Sequence, residues 1–218
     1  MNYLKIDKED VCNGEGLRVV LWLSGCSHKC KGCQNPQTWD ANSGISFDES
    51  AKEELFRELD KDYISGLTLT GGDPLFEENL DGVLDLVTEV NKRYNTAQNI
   101  VRNQDKNHNI LNENANEIRL SCPKRSIWLY TGYTLEKIMN YELKSSLLDK
   151  DDIFVKNALQ DIQQIKRKNI VSQCDVLIDG QYIDSQRDIA LPYRGSRNQR
   201  LIDVMESLKK GEIILWKC

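Results

Sequence analysis

Cys26, Cys30 and Cys33 fall in one short stretch, Ser24-Gly25-Cys26-Ser27-His28-Lys29-Cys30-Lys31-Gly32-Cys33-Gln34-Asn35-Pro36. Thiolates at C-x3-C-x2-C on one loop can hold three irons of a four-iron cubane. The fourth iron then has no protein ligand, and a small molecule can bind it. Two other arrangements compete. A structural zinc site would take His28 or Cys12 as its fourth ligand, but such sites usually combine two separated pairs, and Cys122 and Cys174 are single and far apart. Three unrelated buried thiols would need apolar neighbours, whereas His28, Lys29 and Lys31 are polar. The spacing i, i+4, i+7 would also suit one helix face; Gly25, Gly32 and Pro36 favour a loop. The donor set favours an iron–sulfur cluster.

A second stretch with chemical potential is Thr70-Gly71-Gly72-Asp73-Pro74. Paired glycines let a backbone approach a ligand closely and present its polar groups, although the same residues also make an ordinary turn. A β-branched side chain at Gly72 is expected to block that approach and leave the cysteines undisturbed. A third stretch, Leu191 to Arg200, is a polar loop carrying Arg194, Arg197, Asn198 and Arg200, which suit a docking surface, contact with a bound small molecule, or a solvated basic loop.

The elements that position these stretches follow from periodicity. Residues 1–16 are polar and end in the turn signal Asn13-Gly14-Glu15-Gly16. Leu17 to Ser24 is a short apolar run suited to a strand buried on both faces, so the cysteines begin where a strand ends, the usual ligand edge of an open α/β sheet. Ser46-Phe47-Asp48-Glu49 matches a capping box and predicts a helix from about Asp48 to Asp60. Gly66 to Thr70 reads as a second strand. Leu80, Val83, Leu84 and Val87 predict a helix over about Asn79 to Tyr94. Ser126 to Thr131 is a third strand, followed by a helix carrying Leu135, Ile138 and Met139. Leu159, Ile162 and Ile165 suggest a further helix. Cys174 to Gly180 is another buried strand, Leu201, Val204, Met205 and Leu208 mark a short helix, and Ile213 to Trp216 a final edge strand.

Strands alternating with helices imply a mostly parallel α/β sheet. With four to six βα units the chain is too short for a closed eight-fold barrel, and an open, partial (β/α) barrel is expected. A length of 218 residues suits one domain. Between Asn91 and Glu117 stand nine asparagines with few apolar residues. Residues 95–124 are therefore expected to be an inserted surface segment. The 29 basic and 34 acidic side chains leave a formal net charge of −5, which favours neither nucleic acid nor an anionic membrane. No apolar run approaches the ~20 residues of a membrane-spanning helix, and the charged N-terminus does not resemble a signal peptide. A cytoplasmic location is expected. There, seven cysteines point to metal or redox chemistry more than to disulfides.

The cysteine spacing after the first strand resembles the signature of the radical S-adenosylmethionine superfamily. The order of further motifs narrows the resemblance: Asn13-Gly14-Glu15-Gly16-Leu17-Arg18, Gly32-Cys33-Gln34-Asn35, Gly71-Gly72-Asp73-Pro74-Leu75, Tyr130-Thr131-Gly132-Tyr133, Leu177-Ile178-Asp179-Gly180 and Arg194-Gly195-Ser196-Arg197-Asn198-Gln199. Together, over roughly residues 1–94 and 126–203, they look like the activating proteins of anaerobic ribonucleoside-triphosphate reductases. The related pyruvate formate-lyase activators typically carry an aromatic residue before the third cysteine, and Gly32 there favours the reductase activators.

The resemblance implies a [4Fe-4S] cluster on Cys26, Cys30 and Cys33. It implies S-adenosyl-L-methionine held around Gly32, Cys33, Gln34, Gly71, Gly72 and Asp73. Asp73 replaces the superfamily's usual glutamate, which preserves the backbone contact and weakens the case for a side-chain contact. The implied activity is reductive cleavage of S-adenosylmethionine to make a glycyl radical on the large subunit of the reductase. The implied electron donor is a reduced flavodoxin. Activation of another glycyl radical enzyme, or a non-catalytic zinc-binding module, are the alternative functions.

Overall fold

The computed structural model describes residues 1–95, 124–140 and 152–217. In chain order the elements are β1 (Asn2–Asp10), β2 (Leu17–Leu23), β3 (Ile45–Ser46), α1 (Glu49–Leu59), β4 (Ile64–Gly71), α2 (Leu80–Tyr94), β5 (Ser126–Tyr130), α3 (Leu135–Met139), α4 (Asp152–Val171), β6 (Val176–Asp179), β7 (Arg200–Asp203) and α5 (Val204–Lys210). The strands form one open sheet in the order β3-β1-β2-β4-β5-β6-β7. The four central strands are parallel, and β1, β3 and β7 pair antiparallel at the two sides. This unclosed, mostly parallel sheet with its helices is the expected open partial (β/α) barrel.

Val19, Val20 and Leu21 are all fully buried, because each face of β2 has its own cover. Leu21, Leu69 and Leu129 share a core with Leu55 and Leu59 of α1 and Val83, Val87 and Val90 of α2. On the other face, Trp128 packs with Val176, Ile178 and Leu201, and Tyr193 and Trp216 close over it edge-on. Each such fully buried aliphatic side chain contributes about 1.5–3 kcal/mol.

The early motif Asn13 to Arg18 builds the end of the sheet opposite the cysteines. Arg18 is fully buried. It donates to the Thr68 hydroxyl (2.7 Å), the Leu67 carbonyl (2.7 Å) and the Ser126 carbonyl (2.8 Å), and lies over the Trp128 ring. Burial pushes its guanidinium down to about 10, still charged near neutrality. Its hydrogen bonds offset the burial of that charge.

Several sequence expectations shift by a physical cause. Ser46 lies in β3, and the cap of α1 is Asp48, whose carboxylate accepts from the Ala51 N–H (3.0 Å). The polar lead-in is in fact strand β1. As an outer strand it buries Tyr3 inward and keeps its charges in water. Leu201 belongs to β7, not to the helix after it. Ile213 to Trp216 forms bridges beside β7 instead of a regular strand.

Helix α4 exists, but Leu159, Ile162 and Ile165 are exposed on it, while Gln164 and Arg167 are buried. Gln164 Nε2 donates to the carbonyls of Lys137 and Ile138 (both 2.9 Å), and Arg167 Nε to that of Leu75 (2.9 Å). Unpaired loop and helix-end carbonyls thus select the polar face.

The Asn-rich stretch lies outside the described residues apart from its ends. Those ends meet: Asn95 Nδ2 donates to the Arg125 carbonyl (2.8 Å) and the Arg125 N–H to Asn95 Oδ1 (3.0 Å). Among the described residues no helix is long and apolar enough to cross a membrane.

Candidate functional site

Parallel pairing carries the C-terminal ends of β2, β4, β5 and β6 to one edge of the sheet. The cysteine loop leaves β2 there and is fixed along its backbone. The Gly25 N–H donates to the Thr38 carbonyl (2.8 Å), and the Cys26 N–H to that of Trp39 (3.1 Å). The Gly-Gly-Asp strip is zipped alongside: the Gly72 N–H donates to the Leu23 carbonyl (2.7 Å) and the Asp73 N–H to that of Gly25 (2.8 Å). Asn79 Nδ2 closes the join by donating to the carbonyls of Ser24 (2.8 Å) and Asp73 (3.1 Å).

Two consequences bear on what the strip can bind. The N–H groups of Gly72 and Asp73 are spent inside the chain. The backbone groups still available to a ligand are carbonyl oxygens, which accept and therefore suit an ammonium group better than an anion. In addition, a Cβ at Gly72 would stand 2.4 Å from the Gly25 carbonyl oxygen. The missing side chain thus makes room for the cysteine loop itself.

Cys26, Cys30 and Cys33 are free and partly exposed. Burial pushes the Cys26 and Cys30 thiols up from their ordinary value, and at Cys26 the Asp73 charge adds to that rise while the N–H groups of His28 and Lys29 oppose it. The Asn35 N–H donates to Cys33 Sγ (3.4 Å). Backbone donors aimed at sulfur, with thiols that give up their protons when metal arrives, fit an iron–sulfur cluster. Among the described residues no three His, Cys, Asp or Glu side chains are placed to hold a metal ion, so the three thiols are not preset for zinc or for a cluster. Of the two candidate fourth ligands of a zinc site, His28 is turned onto Asp73 and Gln181, and Cys12 lies on an open cleft that Gln34 also borders.

Asp73 is almost fully buried. Its carboxylate accepts from the Leu75 N–H (2.8 Å), the Thr131 hydroxyl (2.9 Å) and the Gly132 N–H (3.0 Å). His28 Nε2 lies 2.8 Å from Asp73 Oδ2, a close polar contact that is not aligned as a hydrogen bond. The other ring nitrogen meets Gln181 Nε2 at 2.9 Å. Sequence reasoning placed the cysteines and glycines at this edge but missed His28, Thr131 and Gln181 as its fasteners. The available signals were His28 standing between two cysteines, and Thr131 and Gln181 following two strands.

The polar loop before β7 also reaches this edge, and most of its candidates serve the fold. Asn198 Nδ2 donates to the Gln181 carbonyl (2.7 Å), and Arg197 pairs with Asp188 (3.1 Å). Arg200 donates to Asp179 (2.9 Å) and to both Glu136 oxygens (2.9 and 2.8 Å). Arg194 differs: its Nε is buried without a partner. It lines a cleft of about 430 Å³ together with Cys12, Trp22, Gln34, Tyr130 and Arg187. Of the sequence-predicted cofactor residues, Gln34 borders this cleft and Gly71, Gly72 and Asp73 do not.

The Arg200 contact holds the Glu136 carboxyl well below its ordinary 4.5, at about 2. A lowered carboxyl stabilises the fold above its unfolded value, and that contribution is lost as pH falls from about 4.5 towards 2. Glu136 is half exposed, so solvent screening limits the effect to about 0.5–1 kcal/mol. Glu136→Gln is expected to unfold more easily than the parent at pH 6 and to match it near pH 2, as read by urea denaturation at both values.

The chain matches the family described as a 4Fe-4S single cluster domain over residues 12–106 and 157–202. It is 36% identical over 201 residues to the anaerobic ribonucleoside-triphosphate reductase-activating protein of Enterobacteria phage T4, an alignment covering 92% of this chain and 93% of that one. To the protein of the same name from Haemophilus influenzae it is 33% identical, with 91% and 96% covered. To that of Escherichia coli K12 it is 30% identical, again with 91% and 96% covered. With three free thiols gathered on the loop after β2, a Gly-Gly strip zipped beside it, and relatives matched over nearly their whole length, the chain belongs to the family of anaerobic ribonucleoside-triphosphate reductase-activating proteins.

Proposed function

We propose that this chain is a radical S-adenosylmethionine activase that makes the glycyl radical of an anaerobic ribonucleoside-triphosphate reductase. The observation that carries the reading is the three free cysteines at the C-terminal end of β2, beside a backbone strip whose N–H groups are already used. Cys26, Cys30 and Cys33 would each bind one iron of a [4Fe-4S] cluster and leave the fourth iron open. A cluster held there would supply the one-electron reduction that cleaves S-adenosylmethionine, the chemistry by which a hydrogen atom would be taken from a glycine of the reductase.

The chain's own residues supply position. Carbonyl oxygens of the Gly71–Gly72 strip would accept from the methionine amino group, while Gly32 and Gln34 would line the cofactor beside Cys33. Arg194 and the cleft it lines are the candidate approach for the partner's glycine segment. No acid–base pair is called for, because a hydrogen atom and not a proton leaves the substrate. The electron donor would be a reduced flavodoxin-type protein, and the free thiols suit a reducing cytoplasm. The 95–124 stretch would be an excursion from a single domain, supported by the pairing of Asn95 with Arg125.

The test is anaerobic reconstitution with iron and sulfide, followed by dithionite and S-adenosylmethionine. Release of 5′-deoxyadenosine is expected. A glycyl radical should appear by electron paramagnetic resonance when the large reductase subunit is added. A chain carrying a full cluster that releases no 5′-deoxyadenosine would refute the reading.

A further inference from the structure

We propose that His28 and Asp73 form a latch that ties the cysteine loop to the strand ends, and that the Asp73 carboxylate serves this loop and not a cofactor. The proposal deepens the activase reading and rests on it.

The argument begins with the capacity of the carboxylate. A carboxylate has about four acceptor positions. Oδ1 of Asp73 accepts from the Leu75 N–H and the Thr131 hydroxyl, and Oδ2 accepts from the Gly132 N–H and touches His28. With its side chain 2% exposed, no open face remains for a ligand. The residue is one methylene shorter than glutamate, and this draws its charge back among the strand ends, where those donors lie.

His28 is the other half. It stands between Cys26 and Cys30, so whatever fixes it fixes the middle of the metal-binding loop. Its ring bridges Asp73 after β4 and Gln181 after β6, and packs edge-on against Tyr133 after β5 at 4.6 Å. Arg167 of α4 backs the same tyrosine, 4.9 Å from its ring centre. Gly132 has no room for a side chain, because a Cβ there would stand 2.3 Å from the imidazole. One side chain therefore ties the loop after β2 to the ends of three other strands. Fixing the loop before metal arrives removes ordering entropy from the binding step. Outer contacts of this kind usually govern metal retention by 10–100-fold. Asp73 is also joined to the cysteine loop by its own backbone, its N–H donating to the Gly25 carbonyl beside Cys26 (2.8 Å), and net charge around a cluster helps set its reduction potential.

The experiment compares the parent with His28→Ala, Asp73→Asn, Asp73→Glu, Gln181→Ala and the His28→Ala/Asp73→Glu double variant. All are reconstituted anaerobically. Iron and sulfide per chain, the rate of iron loss to a chelator, S-adenosylmethionine affinity, and the spectrum and midpoint potential of the reduced cluster are measured. His28→Ala and Asp73→Glu should each lose iron on the order of tenfold faster than the parent. The double variant should be no worse than the poorer single one, as for two halves of one contact. Asp73→Asn, which removes a negative charge, should move the midpoint to a more positive value. Gln181→Ala removes only the outer contact; it should keep the metal-free fold, by circular dichroism, and still lose iron faster than the parent.

The latch is overturned if Asp73→Glu and His28→Ala retain iron as the parent does. It is equally overturned if Asp73→Asn lowers only the affinity for S-adenosylmethionine. A parent protein that holds its cluster but never cleaves S-adenosylmethionine defeats the activase reading instead, and the iron-retention series still decides the latch.

Discussion

Alanine in place of Cys26, Cys30 or Cys33 is expected to lower 5′-deoxyadenosine release more than about a hundredfold, beyond the 10–100-fold typical of an outer contact to a metal site. Each thiolate would anchor a different iron, so the two that remain cannot hold the cubane in place. The fold itself should survive. All three cysteines are partly exposed, and the loop is held by backbone bonds such as Gly25 to Thr38 and Cys26 to Trp39. Metal-free variants should therefore unfold within about 1 kcal/mol of the parent.

The other described cysteines serve as controls. Cys12 is exposed on the cleft that Gln34 also borders, and Cys174 is buried with its thiol donating to the Ile170 carbonyl (3.3 Å). Cys12→Ala and Cys174→Ala should keep full iron and sulfide by chemical analysis. Loss of metal from Cys12→Ala would mean that it is a fourth ligand, and the open iron on which the activase reading depends would not exist.

Gly72→Val is expected to cost about 3–5 kcal/mol and to empty the metal site. The new Cβ would stand 2.4 Å from the Gly25 carbonyl oxygen and about 3 Å from its carbon and nitrogen. No rotamer relieves a backbone-to-backbone clash, so the strands must part or the cysteine loop must shift. Overpacking of this kind costs about 1–3 kcal/mol. Each of the two hydrogen bonds lost, Gly72 to Leu23 and Asp73 to Gly25, adds about 1 kcal/mol. For a chain of this size that corresponds to a fall in Tm of roughly 6–20 °C. Sequence reasoning had pointed to a different result, an intact cluster with weakened cofactor binding. Thermal melts and iron analysis on the same sample separate the two. A variant with the parent's Tm and full iron but weak S-adenosylmethionine binding would place the bare side of Gly72 towards the ligand.

Periodicity located α1 and α2 to within a residue or two, because their apolar positions recur on one face and that face meets the sheet. It found the helix α4 but not its buried face, since Leu159, Ile162 and Ile165 are exposed and Gln164 and Arg167 are buried. Local pattern cannot reveal that nearby backbone carbonyls need donors. It also failed on β1, since a strand at the side of a sheet hides only one face and keeps its charges in water. The junction at Leu201 was blurred for a related reason: a four-residue strand running straight into a helix leaves no turn signal between them.

The chemistry of this protein was written in its local sequence. Three thiols at fixed spacing after an apolar strand suit a metal loop wherever the chain goes, because ligand type and separation are properties of neighbouring residues. The roles of Asp73, His28 and Gly72 were decided only in three dimensions. Parallel pairing brings four strand ends, far apart along the chain, to one edge, and there a carboxylate meets donors from Leu75, Thr131, Gly132 and a histidine from the cysteine loop. A side chain's partners across the sheet depend on topology and register, which no single stretch of the chain contains.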